Sequence, residues 1–220
     1  GAPQLGNLVQ RILKLVPDLK QLRISSIDAI EIDDALMETM AEARLAPFMH
    51  LSLQHGDDLI LKRMKRRHSR DDAIALTDRL RAVRPDIALG ADIIAGFPTE
   101  TEAHFENSAR LVEDCGLSFL HVFPYSPRPG TPAARMPQLN KAVVKARAAR
   151  LRDVGAAALE RHLRKYDGQT VEALVERGNS ARLPDFTPVQ FESDPGDAGR
   201  PVRARIVRQD GKQLIGALTA

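Results

Sequence analysis

From Gln21 to Ser126, short apolar runs alternate with segments of helical period, and this alternation admits few architectures. QLRISS (Gln21–Ser26), FMHLSLQ (Phe48–Gln54), DIALGADIIAG (Asp86–Gly96) and SFLHVFPYS (Ser118–Ser126) read as strands. Between them, Glu31–Arg44, Asp57–Arg66 continuing to Arg84, and Thr101–Gly116 read as amphipathic helices. An earlier helix places Leu5, Leu8, Val9, Ile12, Leu13 and Val16 on one face and stops at Pro17. Strand–helix repeats predict βαβ units, a parallel sheet and right-handed crossovers. A spacing of roughly thirty residues per unit is that of a β/α barrel. Four strands do not close a barrel, so the expected fold is an open sheet or part of one.

The texture changes at PYSPRPGTPAARMP (Pro124–Pro137), a proline-rich loop without period. A long basic helix, Lys141–Tyr166, follows, and from Asp167 onward the chain reads as β: QTVEALVE, TPVQFES, PVRARIVRQ and QLIGALT, separated by turn signals. The fold class expected is therefore α/β, with a partial barrel and linking helix over 1–166 and a small all-β domain over 167–220.

A chain of 220 residues with 43% hydrophobic content buries a sizeable core. No apolar run approaches membrane-spanning length and no signal peptide is read, which makes the cytoplasm the expected compartment. The net charge of +3 says little by itself, so the distribution of basic residues matters more. Cys115 is the sole cysteine, which excludes an internal disulfide and any cysteine-built metal or cluster site within these residues.

Ligands of parallel α/β folds sit at the C-terminal ends of the strands. That rule selects Ser25 and Ser26, Gln54 and His55, Asp92 to Phe97, and Phe123 to Ser126. Ser25 and Ser26 equally suit a helix cap near Ile30, and Gln54 a loop hydrogen bond. Asp92 is the sharpest of these, because a carboxylate between Ala91 and Ile93–Ile94 is costly unless paired or turned toward a ligand. Gly96 either admits a ligand to the backbone or serves a tight turn before Pro98. The run KRMKRRHSR (Lys62–Arg70) is either a solvated helix face or the source of a guanidinium over the mouth. His50, His68, His104, His121 and His162 show no ligand spacing along the sequence, so no zinc site is expected. In the β domain, Arg177, Arg182, Arg203, Arg205 and Phe186 suit RNA through phosphate neutralisation and base stacking, or form an ordinary basic surface.

Four strings then carry a resemblance: LRISSID, HLSLQHGDDLILKRMKRRHSR, GADIIAGFPTETEAHF and HVFPYSPRPGTPAARMP. In order and spacing they resemble the second half of the radical S-adenosylmethionine domain of bacterial tRNA methylthiotransferases. KRMKRRH and the threonine of GFPTE favour the branch acting on N6-threonylcarbamoyladenosine over the isopentenyladenosine branch. GQTVEALVERGN onward is similar to the OB-like TRAM domain that binds tRNA in that family. GNSARLPDF departs from it, since a glycine–threonine pair is expected before the phenylalanine.

The resemblance implies methylthiolation of C2 of N6-threonylcarbamoyladenosine at position 37 of tRNA. It implies S-adenosylmethionine and two 4Fe-4S clusters as cofactors, with cluster cysteines that these residues lack, as if the chain began after the second barrel strand. It implies that Ser25, Ser26 and Gln54 line the cofactor's nucleoside and amino-acid moieties, with Arg66 near its carboxylate. Asp92, Ile94, Gly96 and Phe97 would lie against the adenine, covered by Phe123 and Tyr125. No acid–base catalyst is assigned. The chain alone is expected to be inactive and to dimerise through the unpaired edge of its first strand. Other readings are a non-catalytic tRNA-binding remnant, a methylthiotransferase of the isopentenyladenosine or ribosomal-protein branch, or a porphyrin-pathway radical oxidase, which leaves the β domain unexplained.

Overall fold

The structure, a computed structural model, describes residues 4–219. Its two compact units meet in sequence between Gly155 and Ala156, inside a helix rather than at the expected turn after Tyr166.

The first unit opens with α1 (Leu5–Leu15), which buries Val9 and Leu13 and exposes Leu8 and Leu15. It packs along α2 (Asp34–Thr39). Asp33 ties the two together: Oδ1 accepts the Leu36 N–H at 2.7 Å as the α2 N-cap, and Oδ2 accepts the Gly6 N–H at 3.1 Å. The helix expected over Glu31–Arg44 is therefore short, preceded by a 3-10 turn at Ala29–Glu31 and followed by turns to Leu45.

The strand expected at Gln21–Ser26 does not form. Only two isolated parallel bridges link this segment to its neighbour, Leu22 with Leu45 and Ile27 with Leu51. The first pair to the second spans five residues on one side and six on the other, so no continuous ladder is available, and Ser25 and Ser26 bulge out exposed. The sheet accordingly has three strands, β1 (Phe48–Gln54), β2 (Ala88–Ala95) and β3 (Phe119–Pro124), parallel and in that order. Both crossovers carry helices, α3 (Asp58–Arg63) and α4 (Arg70–Val83) in the first and α5 (Glu102–Asp114) in the second. A break at Lys65, with φ 57°, separates α3 from α4. Each helix starts on a side-chain cap: Asp57 for α3, Ser69 with Asp72 for α4, and Thr101 with His104 for α5.

Period-two alternation gives the sheet two different faces. Leu51, Leu53, Ala91, Ile93 and Ala95 are buried, together with Ile60, Leu61, Leu80, Phe105 and Leu111 of the helices. The other face carries His50, Ser52, Gln54, Asp92, Ile94, His121 and Phe123, and opens progressively toward the strand ends. Gly90 lies on that face opposite His50. A Cβ there would sit 2.6 Å from His50 Nδ1, so the glycine makes room for the imidazole.

The helix α6 (Lys141–Leu163) spans the division between the units. In the second unit, β4 (Thr170–Val175), β5 (Ser180–Arg182), β6 (Pro188–Phe191), β7 (Pro201–Gln209) and β8 (Leu214–Leu218) form a closed barrel in the order β4-β5-β6-β8-β7. β5 lies in a stretch that reads as a loop. The core holds Leu163, Ala173, Leu183, Val189, Phe191, Ile206 and Leu214. His162, Tyr166 and the main-chain N–H of Thr187 converge on buried Asp185, at 3.1, 2.5 and 3.1 Å. Their hydrogen bonds outweigh desolvation and hold its carboxyl below the usual carboxylate range.

Candidate cofactor cavity at the strand ends

Asp92 faces the open side of the sheet, as its position between buried Ala91 and Ile93 requires. With Gln54, Ile94, Phe123 and Tyr125 it lines a cavity of about 490 Å³ at the C-terminal ends of β1, β2 and β3. A neighbouring cavity of about 310 Å³ is lined by Gln54, Ile94, Phe97 and Arg66. Gln54 belongs to both, and its φ of 67° places a non-glycine residue in the left-handed region at the register shift that ends β1.

Two polar groups on these walls lack acceptors among the described residues. The Tyr125 hydroxyl is buried and unbonded, and burial raises its pKa. Arg66 donates through Nη2 to Asp28 at 2.8 Å and to the Ser52 carbonyl at 2.7 Å, while its buried Nε–H has no partner. Phe123 stands half exposed, and Phe97 meets the Tyr125 ring edge-on with centroids 5.3 Å apart. Aromatic faces, an amide, an arginine and orphaned donors are groups that would hold a nucleoside carrying an amino-acid tail.

Not every expected residue joins this group. Ser25 and Ser26 are exposed and line neither cavity. Gly96 has φ 80°, and a Cβ there would lie 2.7 Å from Val144 Cγ1, so the glycine serves the turn and the packing of α6. It borders a separate cavity of about 490 Å³ lined also by Tyr125 and Val144.

The corner after Gly96 is held by a buried ionic network, of whose side chains the strand-end rule selected only His55. Glu100, whose side chain is 0% exposed, accepts the Gly96 N–H at 3.0 Å, His55 Nε2 at 3.0 Å and Arg147 Nη1 at 2.8 Å. His55 Nδ1 accepts the Asp57 N–H at 3.0 Å, which makes Nε2 the protonated nitrogen that donates to Glu100. Arg147 also bridges to Glu102 at 3.1 Å. Nothing in linear spacing marks Glu100, Glu102 or Arg147.

One floor below the cavity, on the same sheet face, lies a second polar group. Asp92 Oδ1 is 2.8 Å from His50 Nε2 and 3.2 Å from His121 Nδ1. The rings of His50 and His121 lie 4.6 Å apart. The expectation of no zinc site rested on spacing along the sequence. Here the three residues come from three adjacent parallel strands, where sequence spacing carries no information.

Cys115 is fully buried at the C-cap of α5, and desolvation pushes its thiol up to about 11. It lies at the opposite end of α5 from the mouth, so the residues present do not fit an iron–sulfur cluster.

In the second unit, Arg177, Arg203 and Arg205 are exposed, with Arg203 paired across the strands to Glu172. Arg182 lies 4.1 Å from the centroid of the Phe186 ring, bonds the Phe186 carbonyl and pairs with Glu176 at 2.9 Å. One face of that aromatic ring is thus already covered. Phe191 is core.

A family model for the Radical SAM superfamily matches residues 3–112. The chain is 51% identical over 193 residues to the threonylcarbamoyladenosine tRNA methylthiotransferase MtaB of Rickettsia prowazekii, covering 87% of this chain and 46% of that protein. It is 37% identical over 226 residues to the tRNA-2-methylthio-N(6)-dimethylallyladenosine synthase of Erythrobacter litoralis, covering 97% and 49%. The chain spans about half the length of the curated relatives it matches. Among solved structures, coproporphyrinogen III oxidase HemN of Escherichia coli superposes with a TM-score of 0.57 at 15% identity, over 98% of this chain and 56% of that one. At that identity the likeness concerns the fold alone.

Proposed function

The chain belongs to the radical SAM superfamily, and on that premise we propose that it serves a tRNA methylthiotransferase acting on C2 of N6-threonylcarbamoyladenosine at position 37. The observation that carries this reading is the convergence of Gln54, Asp92, Ile94, Phe123 and Tyr125 on one cavity at the strand ends, in a chain 51% identical to MtaB. S-adenosylmethionine, when bound and given one electron by a reduced iron–sulfur cluster, would supply a carbon radical able to activate an unreactive ring carbon.

This chain's own residues bind and orient. Phe123 and Tyr125 present aromatic surface to the adenine, and the unbonded Tyr125 hydroxyl offers a donor to its edge or to the ribose. Arg66 Nε–H faces the amino-acid end, held in place by Asp28 and the Ser52 carbonyl. Gln54 and Ile94 form the wall shared by both cavities. Asp92, Gly96 and Phe97 shape the strand end beneath. Ser25 and Ser26 stand outside the cavities and take part only if their loop folds over a bound ligand. Cluster thiolates come from residues other than these.

The closed β-barrel is read as OB-like and RNA-binding. Five strands with one parallel contact support that reading, as do exposed Arg177, Arg203 and Arg205. Arg182 stacked on Phe186 offers a guanidinium plane as a platform for a base. A tRNA substrate supports the cytoplasm as its compartment.

The test is disruption of the gene in its host followed by mass spectrometry of tRNA nucleosides. The methylthio mark on N6-threonylcarbamoyladenosine disappears and returns with the intact gene, but not with its Phe123→Ala, Tyr125→Ala double variant. An undiminished mark after disruption overturns the assignment.

A further inference from the structure

We propose that His50, Asp92 and His121 form a binding site for a divalent transition-metal ion. The three come from β1, β2 and β3, and one ligand atom from each lies within 4.8 Å of the others. Both imidazoles aim a ring nitrogen at the same carboxylate oxygen, at 2.8 and 3.2 Å. Metal–nitrogen and metal–oxygen bonds of about 2.0–2.2 Å put neighbouring ligands on one ion roughly 3 Å apart, the separation found between Asp92 and each histidine. An ion takes the place of the two hydrogen bonds and uses the same ring nitrogens and carboxylate oxygen, each imidazole then carrying its proton on its other ring nitrogen.

The site is built unevenly, with one rigid arm and one adjustable arm. His50 has only 6% of its side chain exposed and is fixed by the ring of Phe48 on its own strand and by the space that Gly90 leaves opposite. His121 has 64% of its side chain exposed and turns without disturbing the core. Two imidazoles and one carboxylate suit zinc, iron(II), cobalt(II) or nickel(II), whereas magnesium and calcium prefer oxygen alone. Three protein ligands leave coordination positions for water or a substrate atom. Asp92 also walls the 490 Å³ cavity, so the ion borders the space where a ligand enters.

The inference shares Asp92 with the S-adenosylmethionine reading, but neither histidine has a part in that reading, and metal uptake is measured without S-adenosylmethionine. The experiment uses the chain of 220 residues, stripped with a chelator and titrated anaerobically with cobalt(II), then with zinc as competitor. One cobalt per chain, with visible ligand-field absorbance displaced by zinc, is the expected result. His121→Ala and Asp92→Asn weaken binding by more than about tenfold, with circular dichroism reporting an intact fold, and His104→Ala leaves it unchanged. If the wild-type chain takes up no stoichiometric cobalt, or if His121→Ala and Asp92→Asn both bind as it does, the three side chains are a hydrogen-bond network and the proposal fails.

Discussion

Replacing Glu100 tests whether the corner behind Gly96 rests on its buried ionic network. Glu100→Ala removes both oxygens that accept the Gly96 N–H, His55 Nε2 and Arg147 Nη1. Arg147 keeps Glu102 at 3.1 Å and the Glu100 main-chain carbonyl at 2.9 Å, so it is not wholly stranded. The Gly96 N–H and His55 are stranded, and each buried donor left unpaired costs about 1–3 kcal/mol. The two together come to about 2–6 kcal/mol, a range that brackets the 3–5 kcal/mol typical of breaking a buried ion pair. Glu100→Gln keeps one acceptor oxygen and the shape, and costs about half as much. Urea unfolding followed by far-ultraviolet circular dichroism reads the effect. With a slope of about 2 kcal/mol per molar urea, the alanine variant lowers the midpoint of the first unit's transition by more than about 1 M. A midpoint unmoved in the alanine variant, or no lower than in the glutamine variant, refutes the reasoning and makes Glu100 a bystander.

Three further outcomes follow from groups already described. Cys115 is expected to resist alkylation in the folded chain and to react fully in denaturant. Anaerobic addition of iron and sulfide is expected to give no cluster absorbance, whereas a four-iron species would contradict a single inert thiol. His68 is buried and has its pKa lowered, first by desolvation and then by Arg66, so acid protonates it in the unfolded chain before the folded one. Stability from this residue is complete above about pH 6.5 and is lost as pH falls below that, by at most about 1.4 kcal/mol per pH unit. Comparing urea midpoints at pH 7.5 and 5.5 with those of His68→Gln checks it, and equal acid losses in both proteins count against it. Finally, tRNA binding by the chain is expected to weaken steeply with salt and again on the Arg203→Glu, Arg205→Glu change. Binding indifferent to both removes the electrostatic role of that strand.

Much of the α/β unit was legible because its strands announce themselves. FMHLSLQ, read as a strand over Phe48–Gln54, has those limits in the structure, and β2 and β3 lie within their predicted runs. The cost of a carboxylate among apolar strand neighbours singled out Asp92, and it lines a cavity together with Gln54 and Phe123. QLRISS misled because its composition suits a strand, while the five-against-six spacing of its bridges to the neighbouring segment is a tertiary property. Gly96 was ambiguous from sequence because both readings need a glycine, and only the position of Val144 separates them. The histidines were set aside for want of spacing, yet period-two alternation puts His50 four residues before Gln54 and His121 two before Phe123, on one face. Counting faces across strands would have found them. Glu100 and Arg147 had no such signal, since their partnership depends on how α6 lies against the strand ends.

Closure of the β-barrel has a kinetic consequence. The meander β4-β5-β6 and the hairpin β7-β8 are each joined by neighbours in sequence, but the ring closes through β4 with β7 and β6 with β8. Those two ladders pair residues such as Val171 with Ala204 and Val189 with Leu214, far apart along the chain. Refolding must therefore bring β7 and β8 onto both open edges of the meander, and the loop-closure entropy falls due before either ladder gives its reward. Formation of those two ladders, more than of any single hairpin, is expected to set the refolding rate of the second unit after dilution from denaturant.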